Sequence, residues 1–219
     1  MRILHVCSGG LDSAVLLAQM LHDGHEVRSV NFYYGSKHNR RERVAMHTIN
    51  RFYDLPEPLC IDLPFVPEFF DSALLDPHEP VPEGHYKEEG MRRTVVPFRN
   101  GIMLSIAAGI CDSLHGDAVS IAAHAGDHYI YPDCRPAFLQ FMSSAIRTGT
   151  ERGIGIVAPF STLTKTAIVK LGFELGVPLA ETYSCYNGRQ KHCGACGACN
   201  ERRAAFQESG VKDETEYEV

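Results

Sequence analysis

Arg2-Ile3-Leu4-His5-Val6-Cys7 is a short apolar run that stops at Ser8-Gly9-Gly10-Leu11-Asp12-Ser13. Such a run, bounded by glycines, predicts a buried strand ending in a tight turn. From Ser13 to His22 the period changes. Ala14, Val15, Leu17, Ala18 and Leu21 recur at helical spacing, and Gly24 ends the run. A glycine turn between the first strand and the first helix is where an open α/β sheet holds its ligand. The glycines let backbone N–H groups approach an anion with no Cβ in the way. Ser8 and Ser13 add hydroxyl donors, and the helix aims its positive end at the same point. Asp12 is a poor phosphate partner alone but suits a Mg²⁺ ion. An ordinary glycine turn has the same spacing, so the loop by itself leaves both readings open. No Walker pattern occurs. The G-x-G-x-x-A string at Gly153, Gly155 and Ala158 is followed by Pro159, which argues against a helix opening there.

Outward from this loop, strand and helix alternate. Glu26–Tyr34 and Leu59–Leu63 read as strands, with a helix over Arg40–Tyr53 between them. That order implies parallel pairing and right-handed crossovers. Residues 64–93 break the pattern with Pro64, Pro67, Pro77, Pro80 and Pro82. A stretch this long and proline-rich predicts a lid-like insertion. Regular structure resumes with a largely apolar helix over Asn100–Leu114 and a strand over Ala118–Ala122. A helix over Pro136–Thr148, a short strand over Ile154–Val157 and a helix over Thr164–Leu175 follow. Ser161 or Thr164 is placed to cap that last helix. A short helix is expected near Asn200–Gln207, then a frayed acidic tail from Lys212. The predicted organisation is an α/β domain over residues 1–180 and a small C-terminal element over 181–219.

Composition narrows the class. The 219 residues are 44% hydrophobic and 22% charged, which suits one globular unit with an appendage. Lys and Arg number 21 against 27 Asp and Glu, a net charge of −6. That balance argues against a nucleic-acid binder, which carries a basic surplus. No run reaches about 18 apolar residues, so no membrane span is expected. The opening residues lack a signal-peptide pattern, and a cytoplasmic location is expected.

Of eight cysteines, four cluster as Cys185-x₇-Cys193-x₂-Cys196-x₂-Cys199. In a reducing compartment such a cluster suggests metal before disulfide. Four thiolates with two x₂ steps fit a tetrahedral Zn²⁺ with no open position, hence a structural site. An iron–sulfur cluster and a redox dithiol remain open. His192 reads as a flanking residue. Cys134 reads as a small apolar contact rather than a nucleophile. The run Lys37, His38, Arg40, Arg41, Arg43 reads as a solvated helix face, and the His124/His128 pair as unsuited to a metal, with Gly126 and Pro132 breaking any helix.

Two further strings carry chemistry: Val96-Pro97-Phe98-Arg99-Asn100, and Asp127-His128-Tyr129-Ile130-Tyr131-Pro132-Asp133-Cys134-Arg135-Pro136. Aromatic faces with fixed carboxylates suit a flat heterocycle with N–H edges. A polar loop at a helix start reads the same way.

S-G-G-x-D-S after an N-terminal strand resembles the PP-loop ATP pyrophosphatases. With Tyr34-Gly35-Ser36-Lys37-His38, P-x-R-N, Y-P-D-C-R, S-C-Y-N-G, Lys165 and the closing C-x₂-C-x₂-C, the sequence resembles the 7-cyano-7-deazaguanine synthase family from its first strand to its cysteines. The resemblance implies an adenine nucleotide alpha hydrolase-like, Rossmann-like doubly wound sheet. It implies conversion of 7-carboxy-7-deazaguanine and ammonia to the nitrile, through an acyl-adenylate and an amide, with ATP split to AMP and pyrophosphate. It implies that Ser8, Gly9, Gly10, Leu11, Asp12 and Ser13 hold ATP, and that Asp12, Arg99 and Lys165 are catalytic. Asp127, Tyr131, Asp133 and Arg135 would contact the base. Mg²⁺, a structural Zn²⁺ and a homodimer are further implications.

The sequence departs from the family pattern at three places. Ala14 replaces Thr, Ser36 replaces Gln, and Tyr129-Ile130 replace Ser-Gly. Added bulk beside the substrate leaves open a paralogue that stops at the amide or joins the base to a protein amine. A PP-loop tRNA-modifying enzyme is a third reading, against which the acidic charge and compact cysteine cluster count.

Overall fold

The structure, a computed structural model, describes residues 1–84 and 89–219. Residues 85–88, part of the expected 64–93 insertion, lie outside the described residues.

Five parallel strands form one sheet in the order β3-β2-β1-β4-β5. They are β1 (Arg2–Val6), β2 (Glu26–Tyr33), β3 (Leu59–Asp62), β4 (Ala118–Ser120) and β5 (Gly155–Val157). The helices are α1 (Leu11–His22), α2 (Asn39–Phe52), the single turn α3 (Val66–Phe69), α4 (Arg99–Ser113), α5 (Pro136–Gly149), α6 (Lys165–Glu174) and α7 (Gly197–Ser209). Chain order reverses between β1 and β4. That reversal opens a crevice at the carboxyl ends of the strands, where a doubly wound sheet binds ligand.

Both faces of the sheet are covered, which is why β1 reads as continuously apolar rather than alternating. Ile3 packs on one side with Leu16, Leu17, Phe160 and Ile168. Leu4 packs on the other with Val30, Leu104, Ala107 and Val119. Leu16 and Leu17 are fully buried. Truncating either to Ala costs about 2–5 kcal/mol.

Several expectations are corrected. The 64–93 stretch carries α3 and a 3₁₀ turn (Glu89–Thr94). It also contributes Leu74, Leu75, Val81 and Met91 to the main core. By length and composition alone the segment Gly90–Ser113 is apolar enough to cross a membrane, although Arg92, Arg93, Arg99 and Asp112 interrupt it. It is half buried in the molecule, and Phe98 breaks it in the left-handed region at φ +53°. α4 is buried or half-buried along nearly its whole length, with only Ser105, Gly109 and Ser113 exposed, as its apolar composition implies. The tail is docked rather than frayed. His192 N–H donates to Glu216 O at 3.1 Å and Glu218 N–H to His192 O at 2.8 Å. The Tyr217 ring lies under the Arg203 guanidinium at 4.0 Å. The expected basic face is not wholly solvated either. His38 is buried, and Lys37 Nζ donates to the carbonyls of Ala73, at 2.8 Å, and Glu79.

His5 ties β1 to its neighbours. Its Nε2 lies 2.9 Å from the Ser13 carbonyl, which can only accept, so Nε2 carries the proton. Nδ1 then accepts from the Ser120 hydroxyl at 2.8 Å. Burial pushes its pKa down to about 4, the Ser13 bond opposing only in part. The unfolded chain therefore binds a proton near pH 6.5 that the native state refuses until about pH 4. Stability falls as pH drops through that window, by up to about 3 kcal/mol from this group. Denaturant melts at pH 4.5 and 7 should show a smaller pH dependence for His5→Gln than for the natural chain. An equal dependence contradicts the assignment.

Candidate active site

The phosphate loop is built where β1 ends, and α1 begins earlier than its periodicity implied. Gly10 is the N-cap, so Leu11, Asp12 and Ser13 form the first helical turn. Gly9 sits at φ +82°, and a Cβ there would lie 2.4 Å from the Met46 nitrogen and 2.5 Å from the Glu42 carbonyl. Only glycine admits this approach, which seats the loop against α2. Ser8 Oγ accepts from Gly10 N–H at 3.1 Å, and Ser13 Oγ donates to Gly10 O at 3.0 Å.

A cavity of about 200 Å³ opens at the crevice, lined by Ser8, Gly10, Leu11, Asp12 and Ser13 among others. Its charged heart joins four elements. Lys165, first residue of α6, hydrogen-bonds Asp12 Oδ2. Thr164 caps that helix by accepting from Ala167 N–H at 3.2 Å, which fixes where Lys165 emerges. Glu201 on α7 brings Oε2 to 3.7 Å from Lys165 Nζ. His124, after β4, holds Nε2 at 3.8 Å from Asp12, 3.6 Å from Asp127 and 3.8 Å from Glu201.

The tautomer of His124 follows from its surroundings. Gly126 N–H donates to Nδ1 at 3.1 Å, so the proton of a neutral ring sits on Nε2 and faces the carboxylates. Burial alone would pull the Lys165 ammonium down, but the charges of Asp12 and Glu201 outweigh it and hold the pKa above the usual lysine value. Burial opposes ionisation of Asp12. The Lys165 ammonium, with His124 beside it, outweighs that and keeps the carboxyl below the usual range. The result is a cation fixed beside the loop. One buried Asp12 oxygen, Oδ1, has no hydrogen-bond partner among the described residues.

The other expected residues separate into two groups. Asp127 and Arg99 line the cavity. Tyr131, Asp133 and Arg135 lie outside its wall. Tyr131 bonds Thr94 Oγ1 at 2.9 Å and Tyr186 Oη at 3.0 Å. Asp133 accepts from Asn100 N–H at 2.8 Å and so caps α4. Arg135 donates to His128 O at 3.1 Å on the surface. Tyr129 is exposed and Ile130 is in the core, so the departure from Ser-Gly puts no bulk into the cavity. Cys134 is buried against Asn100 Nδ2 at 3.1 Å. Burial pushes its thiol well above the ordinary value, which favours the protonated form and the reading of a small apolar contact.

Sequence reasoning missed Glu201 and the role of His124. Only the neighbouring cysteines marked α7, and His124 stood beside a glycine that argued against a helical pair. Gly126 has its own reason to be small, because a Cβ there would lie 2.7 Å from Glu201 Oε1.

The four cysteines are buried and their Sγ atoms lie within 4.8 Å of one another. Cys193 and Cys199 are 3.8 Å apart, Cys196 and Cys199 3.5 Å. Four sulfurs at about 2.3 Å from one tetrahedral ion would stand about 3.8 Å apart, so the set fits a single metal. Backbone N–H groups of Cys193 and Cys196 each donate to a cysteine sulfur at 3.3 Å, as suits thiolates. The element is tied to the core by Arg202, fully buried, whose guanidinium donates to Thr182 Oγ1, Ser184 Oγ, Leu179 O and Thr215 Oγ1. Gly188, in the S-C-Y-N-G string, packs on the Lys37 carbonyl so closely that a Cβ would lie 2.0 Å from it.

Residues 2–210 match the family model described as queuosine biosynthesis protein QueC. A 7-cyano-7-deazaguanine synthase of Desulfotalea psychrophila is 46% identical over 98% of this chain and 97% of its own length. One from Porphyromonas gingivalis W83 is 46% identical over 98% and 96%, and one from Methanoregula boonei 41% identical over the whole of both. Among solved structures, NMN synthetase from Francisella tularensis superposes with a TM-score of 0.52 at 14% identity, over 97% of this chain and 78% of that one. The U34-tRNA thiolase NcsA of Methanococcus maripaludis, with its [4Fe-4S] cluster, gives 0.51 at 12% identity, over 97% and 73%. At such identities these two show a shared fold alone. The chain belongs to the QueC family of queuosine biosynthesis, and it is an enzyme.

Proposed function

We propose that the chain converts 7-carboxy-7-deazaguanine and ammonia to 7-cyano-7-deazaguanine, splitting ATP to AMP and pyrophosphate. The observation that carries the chemistry is the Asp12–Lys165 pair at the first turn of α1, beside the Ser8–Ser13 loop. Backbone N–H groups of the loop and the Lys165 ammonium suit a departing pyrophosphate, whose charge grows as the carboxylate attacks the α-phosphorus. Ammonia then attacks the acyl-adenylate carbonyl, the C–O bond to AMP breaks, and the amide forms with release of AMP and a proton. A second activation, on the amide oxygen, allows loss of that oxygen as AMP and leaves the nitrile.

The orphaned Asp12 Oδ1 lines the same cavity as Asp127 and Glu201 and would suit Mg²⁺, which would neutralise phosphate charge when bound. In the C-terminal element the donor set favours Zn²⁺ over an iron–sulfur cluster. Sulfurs this close enclose one ion and leave no room for a four-iron cube. The division of labour follows: residues 1–180 hold ATP, and 181–219 hold the metal and supply Glu201. The same reading includes a cytoplasmic location and a homodimer. Exposed Phe98 packs edge-on to Phe138 at 5.6 Å, with exposed Phe141 one turn along α5, and this is the apolar surface a second copy would cover.

Substrate labelled with ¹⁸O in its carboxylate tests the route. Adenylation places one ¹⁸O in AMP, read by mass spectrometry. Unlabelled AMP rules the acyl-adenylate out.

A further inference from the structure

One wall of the cavity is built from residues outside the Ser8–Ser13 loop. It carries Tyr34, His38, Glu42, Arg99 and Tyr186. Arg99 donates to Tyr34 Oη at 3.2 Å. The same oxygen hydrogen-bonds His38 Nε2, also at 3.2 Å. Glu42 Oε2 lies 3.8 Å from the same nitrogen, and the Tyr186 ring lies 5.3 Å from the His38 ring.

Glu42 stands in the first turn of α2, where a carboxylate ordinarily answers the helix dipole from solvent. Here the side chain is 16% exposed and turned to the cavity wall. It accepts from Asn39 Nδ2 at 3.2 Å. Among the described residues no Lys or Arg lies within 4.0 Å of it, and no carboxylate lies within 4.0 Å of the Arg99 guanidinium. The wall therefore holds an acceptor-only group and a donor-only group, joined by a Tyr–His relay, with neither neutralising the other. Such a wall suits a flat ligand that offers adjacent N–H donors to the carboxylate and an oxygen to the guanidinium. The N1–H, 2-amino and O6 edge of a guanine has this pattern.

We propose that Glu42 is a specificity-determining residue that accepts from N1–H and the 2-amino group of the deazaguanine, with Arg99 donating to O6. This rests on the function proposed above. Gly9 seats the Glu42 turn directly on the phosphate loop. The group that reads the base is thus fixed relative to the loop that grips ATP, which would hold the 7-carboxylate toward the α-phosphate.

The test compares kcat/KM for 7-carboxy-7-deazaguanine with its analogue lacking the 2-amino group. The natural chain should prefer the full substrate by at least about 100-fold, because the analogue leaves a buried acceptor unmatched. In Glu42→Gln one N–H of the full substrate meets the amide NH₂, while the analogue's single N–H still finds the amide oxygen. Preference should therefore shrink to within about 10-fold. Thermal melts check that the variant is folded. If it is not, Glu42→Asp, which keeps the charge but withdraws it, should show the same loss of preference. Equal losses on both bases in a folded variant overturn the assignment while the function stands. No turnover of either base by the natural chain overturns the function and this inference with it.

Discussion

Asp12→Asn should fold normally yet release pyrophosphate from ATP at least about 100-fold more slowly. The amide keeps the volume of the carboxylate, so α1 and its packing are undisturbed. What changes is the field. The Lys165 ammonium loses the partner that fixes it beside the phosphate loop, and the unpartnered Asp12 Oδ1 is lost as an anchor for a cation. Removing one preorganised group from such a site commonly costs about 10²–10³ in rate. Lys165→Met should act through the same pair but cost stability too. It leaves the Asp12 charge largely buried without its main partner, a loss that runs to about 3–5 kcal/mol for fully buried pairs. Stopped assays for pyrophosphate, paired with thermal melts, separate the two effects. Normal release by folded Asp12→Asn contradicts the role.

Cys196→Ser, or stripping of metal with a strong chelator, should have the largest effect on stability. The cysteine cluster sits at the N-terminus of α7, and α7 carries both Glu201, at the site, and Arg202, the buried clamp. A structural metal binds the native state and not the unfolded chain, so its binding energy is folding energy. A loss above about 4 kcal/mol is expected, in the range that metal loss produces. Zinc measured by elemental analysis should be near one per chain in the natural protein and absent in the variant. Unchanged melting in a variant without metal contradicts a structural role. Because Glu201 travels with α7, activity should fall with the metal even where the β-sheet remains folded.

The sheet and its crevice were legible because local signals agreed. β1 is continuously apolar since both faces of the sheet are covered, and the glycine loop follows it at once. The start of α1 was misplaced because Leu11 and Asp12 look like loop residues beside two glycines, whereas Gly10 is the cap. The 64–93 stretch misled through its prolines. These mark turns, but Leu74, Val81 and Met91 between them are long-range core residues, and no local period announces them. The same holds for the tail, whose acidic composition hides pairings with His192 and Arg203 far away in sequence. At the site, the phosphate loop and four cysteines carry spacing rules and stood out. Glu201, His124 and Glu42 have no such rule. Each matters only because the fold brings three or four separate segments to one cavity. Conversely, Asp133 looked like a base-binding carboxylate and is a helix cap. The two uses share one chemistry, acceptance from an N–H, and sequence cannot tell them apart.

The most direct measurement follows the base itself. Purified protein is incubated with 7-carboxy-7-deazaguanine, ATP, Mg²⁺ and ammonium, and the products are followed by mass spectrometry over time. The account predicts a transient amide and an accumulating nitrile, with two AMP formed per nitrile. An amide that accumulates without dehydration, or AMP released while the base remains a carboxylate, would contradict it.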